Sequence, residues 1–234
     1  MDAALVAMEE KTRTDSARLH GYRWRMQYLR ELCRGKKVLH LGCSSGRFIS
    51  DRLQRGSLLH AVLHEEASEL YGIDIERESL VLMREQLGFA NLYEGNVERL
   101  DELQLDERFD VVLAGDLVEH LTRPGALLDG IKRFLQPGGK FVLSTVNAFG
   151  LNFQLQRWLG GYTEHPEHVC FYSPETIAHL LERHGYAVQE MYGCYNEPPR
   201  TWKRKIEFAV GMPLFKLAPV LAGTLTAVAT PAAA

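Results

Sequence analysis

The sequence predicts an α/β fold: a mostly parallel sheet with helices on both faces. Three observations predict it. Apolar runs of strand length alternate with amphipathic stretches of helix length from about residue 36 to residue 145. The first run, Lys37–Leu41, is nearly continuous, as in a strand covered on both faces. It leads straight into the glycine-containing turn Gly42-Cys43-Ser44-Ser45-Gly46.

Taken in order, residues 16–33 read as a helix ahead of the first strand, and a second helix starts near Arg47. The second strand covers residues 70–73 and ends at Asp74. A helix follows through Arg77–Leu87, terminated by Gly88. Residues 91–94 form the third strand and residues 109–114 the fourth, with Pro124 opening the next helix. Pro137-Gly138-Gly139 turns into a fifth strand at residues 140–145. Beyond residue 146 the rhythm changes. Residues 147–161 read as a helix with loops, and Ser173-Pro174-Glu175 caps a helix that Gly185 ends. Residues 186–191 read as a sixth strand and residues 205–210 as a seventh.

A chain of 234 residues fits one large domain with appended elements. Its 46% hydrophobic and 24% charged residues are ordinary for a globular enzyme and argue against disorder. A net charge of -3 supplies no field for gripping polyphosphate, and only Lys203 to Lys205 after Arg200 approach a basic patch, so no nucleic-acid partner is expected. Cys33, Cys43, Cys170 and Cys194 show neither paired metal spacing nor a disulfide framework. Residues 1–13 carry mixed charges unlike a cleavable signal, and a reducing cytoplasm is expected.

A strand that empties into a glycine-rich turn and then a helix exposes bare backbone and helix N–H groups to a ligand. The stretch Val38 to Gly46 has that form, although a tight turn alone would read the same way. Asp74, at the end of the second strand, is placed to accept hydrogen bonds from a ribose diol, or else to cap the next helix. Asn96 offers an amide donor and acceptor suited to an adenine edge, with a turn role as its alternative.

The set Val38-Leu39-His40-Leu41-Gly42-Cys43-Ser44-Ser45-Gly46, Gly72-Ile73-Asp74, Gly95-Asn96-Val97, Phe109-Asp110-Val111-Val112, Glu119-His120-Leu121 and Leu135-Gln136-Pro137-Gly138-Gly139 resembles the class I, Rossmann-like, seven-stranded S-adenosylmethionine-dependent methyltransferases. Within that class it looks most like the branch of the ubiquinone-biosynthesis and other small-molecule O-methyltransferases. Arg25-Met26-Gln27-Tyr28-Leu29 is similar to that branch's N-terminal helix. The resemblance covers roughly residues 20 to 195 and implies three segments: an N-terminal helical cap (1–35), an S-adenosylmethionine-binding domain (36–195), and a C-terminal strand with an apolar tail (196–234). It implies that Gly42 and Gly46 border the methionyl part of the cofactor, Asp74 the ribose, Asn96 with Val97 the adenine, and Arg25 the carboxylate. Cys43, Ile75 and Gly115 join this set as their neighbours. Two departures stand out. Residues 58–66 read as an inserted or extended helix, and within the motif Ser44 replaces the family's second glycine and His40 its strand-one acid, which suggests a core role for His40.

The reactive end is expected at the carboxyl ends of strands four and five, where Asp116, Glu119 and His120 lie. Methyl transfer from a sulfonium is an in-line displacement that needs a base only for a protonated acceptor such as a hydroxyl, and the imidazole of His120 is the candidate base, a residue type suited to proton transfer near neutral pH. Asp116, Glu119 and His120 with His165 or His168 also resemble the metal site of the small-RNA terminal 2′-O-methyltransferases, which implies Mg²⁺, Mn²⁺ or Zn²⁺. Ordinary loop histidines are the alternative for His165 and His168.

The resulting expectation is methyl transfer to a small-molecule acceptor, with a hydroxyl oxygen favoured. A metal-assisted RNA 2′-O-methyltransferase and a non-catalytic cofactor-binding module are the rivals. The tail, residues 206–234, is apolar but interrupted by Pro213, Pro219 and Pro231, so docking on the domain or fraying is preferred over spanning a bilayer. Arg200 to Lys205 with the apolar residues after them offer a route to peripheral membrane contact.

Overall fold

In the computed structural model, which describes residues 15–161, 165–195 and 202–232, the chain begins with β1 (Tyr22–Trp24), α1 (Arg25–Cys33) and β2 (Lys37–Leu41). There follow α2 (Ile49–Gln54), α3 (Leu59–His64), β3 (Glu69–Asp74), α4 (Arg77–Leu87), β4 (Leu92–Glu94), β5 (Phe109–Gly115) and α5 (Pro124–Ile131). The remainder is β6 (Leu135–Val146), α6 (Leu151–Trp158), α7 (Pro174–Arg183), β7 (Tyr186–Tyr195), α8 (Trp202–Leu217) and β8 (Thr224–Pro231). The chain forms two units, residues 26–143 and residues up to 25 with 144 onward, and the division falls inside β6. Among the described residues the Rossmann-like α/β architecture has eight strands where seven were expected.

In the unit of residues 26–143, β5, β2, β3 and β4 lie side by side in that order and pair in parallel, with β6 next to β5. Val38, Leu39, Leu41, Val112 and Leu113 are buried, as apolar strands flanked by neighbours and covered by helices should be. The register matters most for function. Leu41 is level with Ile73 on one side and Ala114 on the other, and Asp74 is level with Glu94. All four strands therefore end together, and the loops that begin at Gly42, Ile75, Gly95 and Asp116 leave from one edge of the sheet. The expected helix over residues 58–66 is present as α3, and Gly88 closes α4 in the left-handed conformation, with φ of 72°.

In the other unit, β1 pairs in parallel with β7, and β7 pairs antiparallel with β8, with a register shift between Val188 and Glu190. The Ser173 side chain accepts from Thr176 N–H while the Thr176 hydroxyl accepts from Ser173 N–H, a reciprocal cap that starts α7 where expected. Buried Asn147 holds the turn after β6 to the C-terminal segment. Its Nδ2 donates to the carbonyls of Val220 and Ala222 at 2.6 and 2.7 Å, and its Oδ1 accepts from Phe149 N–H at 3.0 Å.

Two expectations are corrected. Residues 16–33 are not one helix, because β1 precedes α1, giving Tyr22 to Trp24 a parallel partner in β7. Residues 205–210 are helical, inside α8; a short apolar alternation does not by itself separate strand from helix, and the place beside β7 is filled by β8. Of the two alternatives expected for the apolar tail, docking and fraying, its residues 224–231 dock, paired with β7 as β8. Its β-branched Thr224, Thr226, Val228 and Thr230 suit a strand, and residues 224–229 are buried. Arg200 lies outside the described residues.

Candidate active site

The edge where β2, β3, β4 and β5 end is built by short-range chemistry of the loops. Gly42 has φ of 65°, and a Cβ there would stand 3.0 Å from Leu117 Cδ1, so the turn demands glycine both for its backbone and for its close neighbour. The Gly42 and Cys43 N–H groups donate to Ile73 O at 2.9 and 3.2 Å, which folds the start of the turn across β3. Asp74, nearly buried, then braces the loop from below. Its Oδ2 accepts from Ser44 N–H at 2.8 Å and its Oδ1 from Glu76 N–H at 3.1 Å. The helix-capping alternative for Asp74 is not what the structure shows, since Glu76 occupies the N-cap of α4. Ile75, between these two acids, is 66% exposed, an apolar surface offered at the mouth of the turn.

Asn96 takes the turn role. Its Oδ1 accepts from Glu98 N–H at 2.8 Å and caps the short 3₁₀ helix Val97–Glu102, while Val97 is buried. The cap uses the carbonyl oxygen and leaves the Nδ2 hydrogens as donors. Glu98 in turn accepts from the Thr122 hydroxyl at 3.1 Å, which ties the turn after β4 to the segment that follows His120. Cys43 turns its side chain into the core, against Ile49, Leu80 and Met83, and burial pushes its thiol well above the usual range; only its backbone is left for a ligand.

After β5, Gly115 leads to Asp116, the one described non-glycine residue with positive φ, at 52°. Aspartate tolerates this conformation better than most residues, and strain of this kind gathers at functional sites. The 3₁₀ turn Val118–His120 follows, with Glu119 fully buried and His120 half-buried. His40 is a core residue, as its strand position suggested: its Nδ1 lies 3.2 Å from Nδ1 of His60 on α3, with the rings stacked.

Residues 15–191 match the family model described as a methyltransferase domain. The chain belongs to that family. It is an S-adenosylmethionine-dependent methyltransferase, of the class I, Rossmann-like kind. The ubiquinone biosynthesis O-methyltransferase of Nitrobacter winogradskyi is 26% identical over 186 residues, covering 74% of this chain and 70% of the relative. The fold is shared with a methyltransferase from Archaeoglobus fulgidus, with a TM-score of 0.55, 20% identity and coverage of 97% and 99%. It is also shared with magnesium protoporphyrin IX methyltransferase from Synechocystis with bound S-adenosylhomocysteine, with a TM-score of 0.52, 14% identity and coverage of 97% and 84%.

The methyltransferase thus gathers Gly42, Cys43, Gly46, Asp74, Ile75, Asn96, Val97, Gly115, Asp116, Glu119 and His120 in the unit of residues 26–143. A bare left-handed turn with a carboxylate behind it suits a cofactor that carries an amino acid and a ribose. Arg25, His165 and His168 belong to the other unit. Arg25 is buried, and its Nε donates to Ser144 Oγ at 2.6 Å. His165 and His168 face one another with ring centroids 4.9 Å apart. Sequence reasoning missed Ser44, Glu76 and Leu117 as shapers of the turn and His60 as the partner of His40. Only Ser44 carried a signal, as the small polar residue in the glycine-rich turn.

Proposed function

We propose that the methyltransferase moves a methyl group to a hydroxyl oxygen of a small-molecule acceptor. The observation that carries this reading is the placement of His120, a half-buried imidazole in the loop after β5, at the edge where the Gly42 turn and Asp74 lie. The relatives named as ubiquinone biosynthesis O-methyltransferases support it.

The bound cofactor supplies a methyl carbon activated by a positive sulfur. His120 would accept the proton of the acceptor hydroxyl as its oxygen takes up the methyl group and the sulfur leaves as the thioether. We assign the Gly42 and Gly46 turn to the methionyl end, Asp74 to the ribose hydroxyls, and Asn96 Nδ2 and Ile75 to the adenine. Glu119, fully buried and next to His120 in sequence, is assigned to the same catalytic turn. Release of S-adenosylhomocysteine across a panel of phenols, alcohols, amines and carbon acids tests this. Turnover restricted to amines or carbon acids removes the hydroxyl reading.

A metal-assisted version of the same transfer is the second reading, favoured by the facing imidazoles of His165 and His168. A divalent ion held with their help would lower the pKa of a coordinated hydroxyl, the task otherwise given to His120. The acidic net charge supports an acceptor other than nucleic acid. The four cysteines, all free and three of them buried, suit a reducing cytoplasm. No helix among the described residues is long and apolar enough to cross a membrane.

A further inference from the structure

Asp74 and Glu76 both lie where β3 gives way to α4, and they are used differently. Asp74 is nearly buried, and both of its oxygens accept backbone N–H groups. Glu76 is exposed, and its carboxylate turns back over the glycine turn that follows β2. A Cβ on Gly46 would stand 3.0 Å from Glu76 Oε2, 3.2 Å from Oε1 and 3.4 Å from Cδ, and no atom of another residue beyond its chain neighbours would be closer. With φ of 50°, Gly46 keeps a conformation that favours glycine, which leaves this carboxylate against bare backbone.

The carboxylate is held at both ends. Glu76 N–H donates to Asp74 Oδ1 at 3.1 Å, and Glu76 Oε2 accepts from the Ser79 hydroxyl at 2.8 Å. The backbone it faces is held as well, since Gly46 N–H donates to Ser44 Oγ at 3.2 Å. Arg77, the next cation along the chain, lies 3.7 Å from Glu94 at the end of β4. The methyl donor and the product share the amino acid, ribose and adenine groups and differ at sulfur, which is a cationic sulfonium before transfer and a neutral thioether after it. A negative charge fixed beside the methionyl end attracts the first and not the second. At a separation of a few ångström in water-like surroundings that attraction changes affinity about fivefold.

We propose that Glu76 makes the methyltransferase discriminate its cationic methyl donor from the product, by holding a carboxylate on the Gly46 side of the methionyl end. The proposal rests on the assignment of the Gly42 and Gly46 turn to that end. Once the methyl group has left, the attraction is gone, and S-adenosylhomocysteine is released in favour of a fresh methyl donor.

The test is titration calorimetry on the full chain with S-adenosylmethionine, S-adenosylhomocysteine and sinefungin, an analogue with an ammonium group beside the position of the sulfonium. Glu76→Gln is expected to weaken S-adenosylmethionine and sinefungin about fivefold and to leave S-adenosylhomocysteine at the wild-type affinity. High salt is expected to bring the wild-type ratio of donor to product affinity toward that of the variant. Glu94→Gln, which removes the same charge at the neighbouring strand end, is expected to leave the ratio unchanged. An unchanged ratio in Glu76→Gln overturns the proposal. So does equal weakening of all three ligands, which would assign Glu76 to groups that methyl donor and product share. An equal fall of the ratio in Glu94→Gln also overturns it, because the effect is then one of net charge. Wild-type S-adenosylhomocysteine affinity in Gly42→Val takes the turn out of the cofactor site and this proposal with it. Loss of binding there with an unchanged ratio in Glu76→Gln removes the role of Glu76 alone.

Discussion

His40 and His60 form a buried pair whose Nδ1 atoms are 3.2 Å apart, one necessarily donating and the other accepting. Burial first, then the charge of His64, pushes His60 down from 6.5 to about 3. Cys43 Sγ and Phe89 pack against His60 in the same region. The unfolded chain therefore takes up a proton that the folded one refuses across that pH window. Stability is full above pH 6.5 and falls as the pH drops from 6.5 toward 3. Thermal melts should show a loss of about 2 kcal/mol from this group between pH 7 and pH 5. His60→Gln, which keeps a hydrogen-bonding partner for His40 without titrating, should be less stable at neutral pH and less steep in acid. An unchanged acid slope in that variant removes His60 as its source.

The Asp74 carboxylate accepts two backbone N–H groups, from Ser44 and Glu76, so it shapes the turn as well as meeting a ribose. Asp74→Ala should weaken S-adenosylhomocysteine binding by about 1–3 kcal/mol in calorimetry. Asp74→Asn, which keeps one acceptor for the backbone, should recover part of the folding stability but little of the affinity. Wild-type affinity in Asp74→Ala takes this residue out of the site.

Gly42→Val places a branched side chain at φ of 65° and against Leu117. Backbone strain alone costs about 1–2 kcal/mol, and the side chain fills the space left for the cofactor, so binding should be lost in a protein that still folds. Gly42→Ala with Leu117→Ala relieves the contact and not the strain. Recovered affinity in that double variant would assign the defect to packing, and retained affinity in Gly42→Val itself would reduce the turn to a tight turn.

Much of the fold was readable because its signals are local. A buried strand covered on both faces shows as a continuous apolar run, and Gly88 and Ser173 mark helix ends by their own conformational chemistry. β8 was unreadable for the converse reason: Thr224 to Pro231 is a weakly apolar segment whose strand form depends on pairing with residues 186–194, information that no local window contains. β1 escaped in the same way, being three residues whose partner lies about 170 residues downstream. In the site, the strand-end positions of Gly42 and Asp74 were legible, because both follow from where the apolar runs of β2 and β3 stop. The brace between Asp74 and Ser44 was not, because it joins loops 30 residues apart whose meeting is set by strand register.

The last prediction separates two ways of taking a proton from the acceptor. If His120 acts as general base, the pH profile of turnover should have an acidic limb that His120→Ala loses, since that limb reports protonation of the base. Chelators should then have no effect. If a divalent ion activates the hydroxyl, chelation should abolish turnover while S-adenosylhomocysteine still binds, and Mg²⁺, Mn²⁺ or Zn²⁺ should restore it. His165→Ala and His168→Ala then become as damaging as His120→Ala, and Glu119→Gln joins them in turnover. Glu119 needs a further control, because it is fully buried and its replacement can act through folding. Melting temperature and cofactor affinity measured on the same variant distinguish a lost site from a loosened turn. Full, chelator-insensitive turnover in His120→Ala would dismiss both mechanisms and leave the rate to positioning of the acceptor oxygen in line with the methyl carbon.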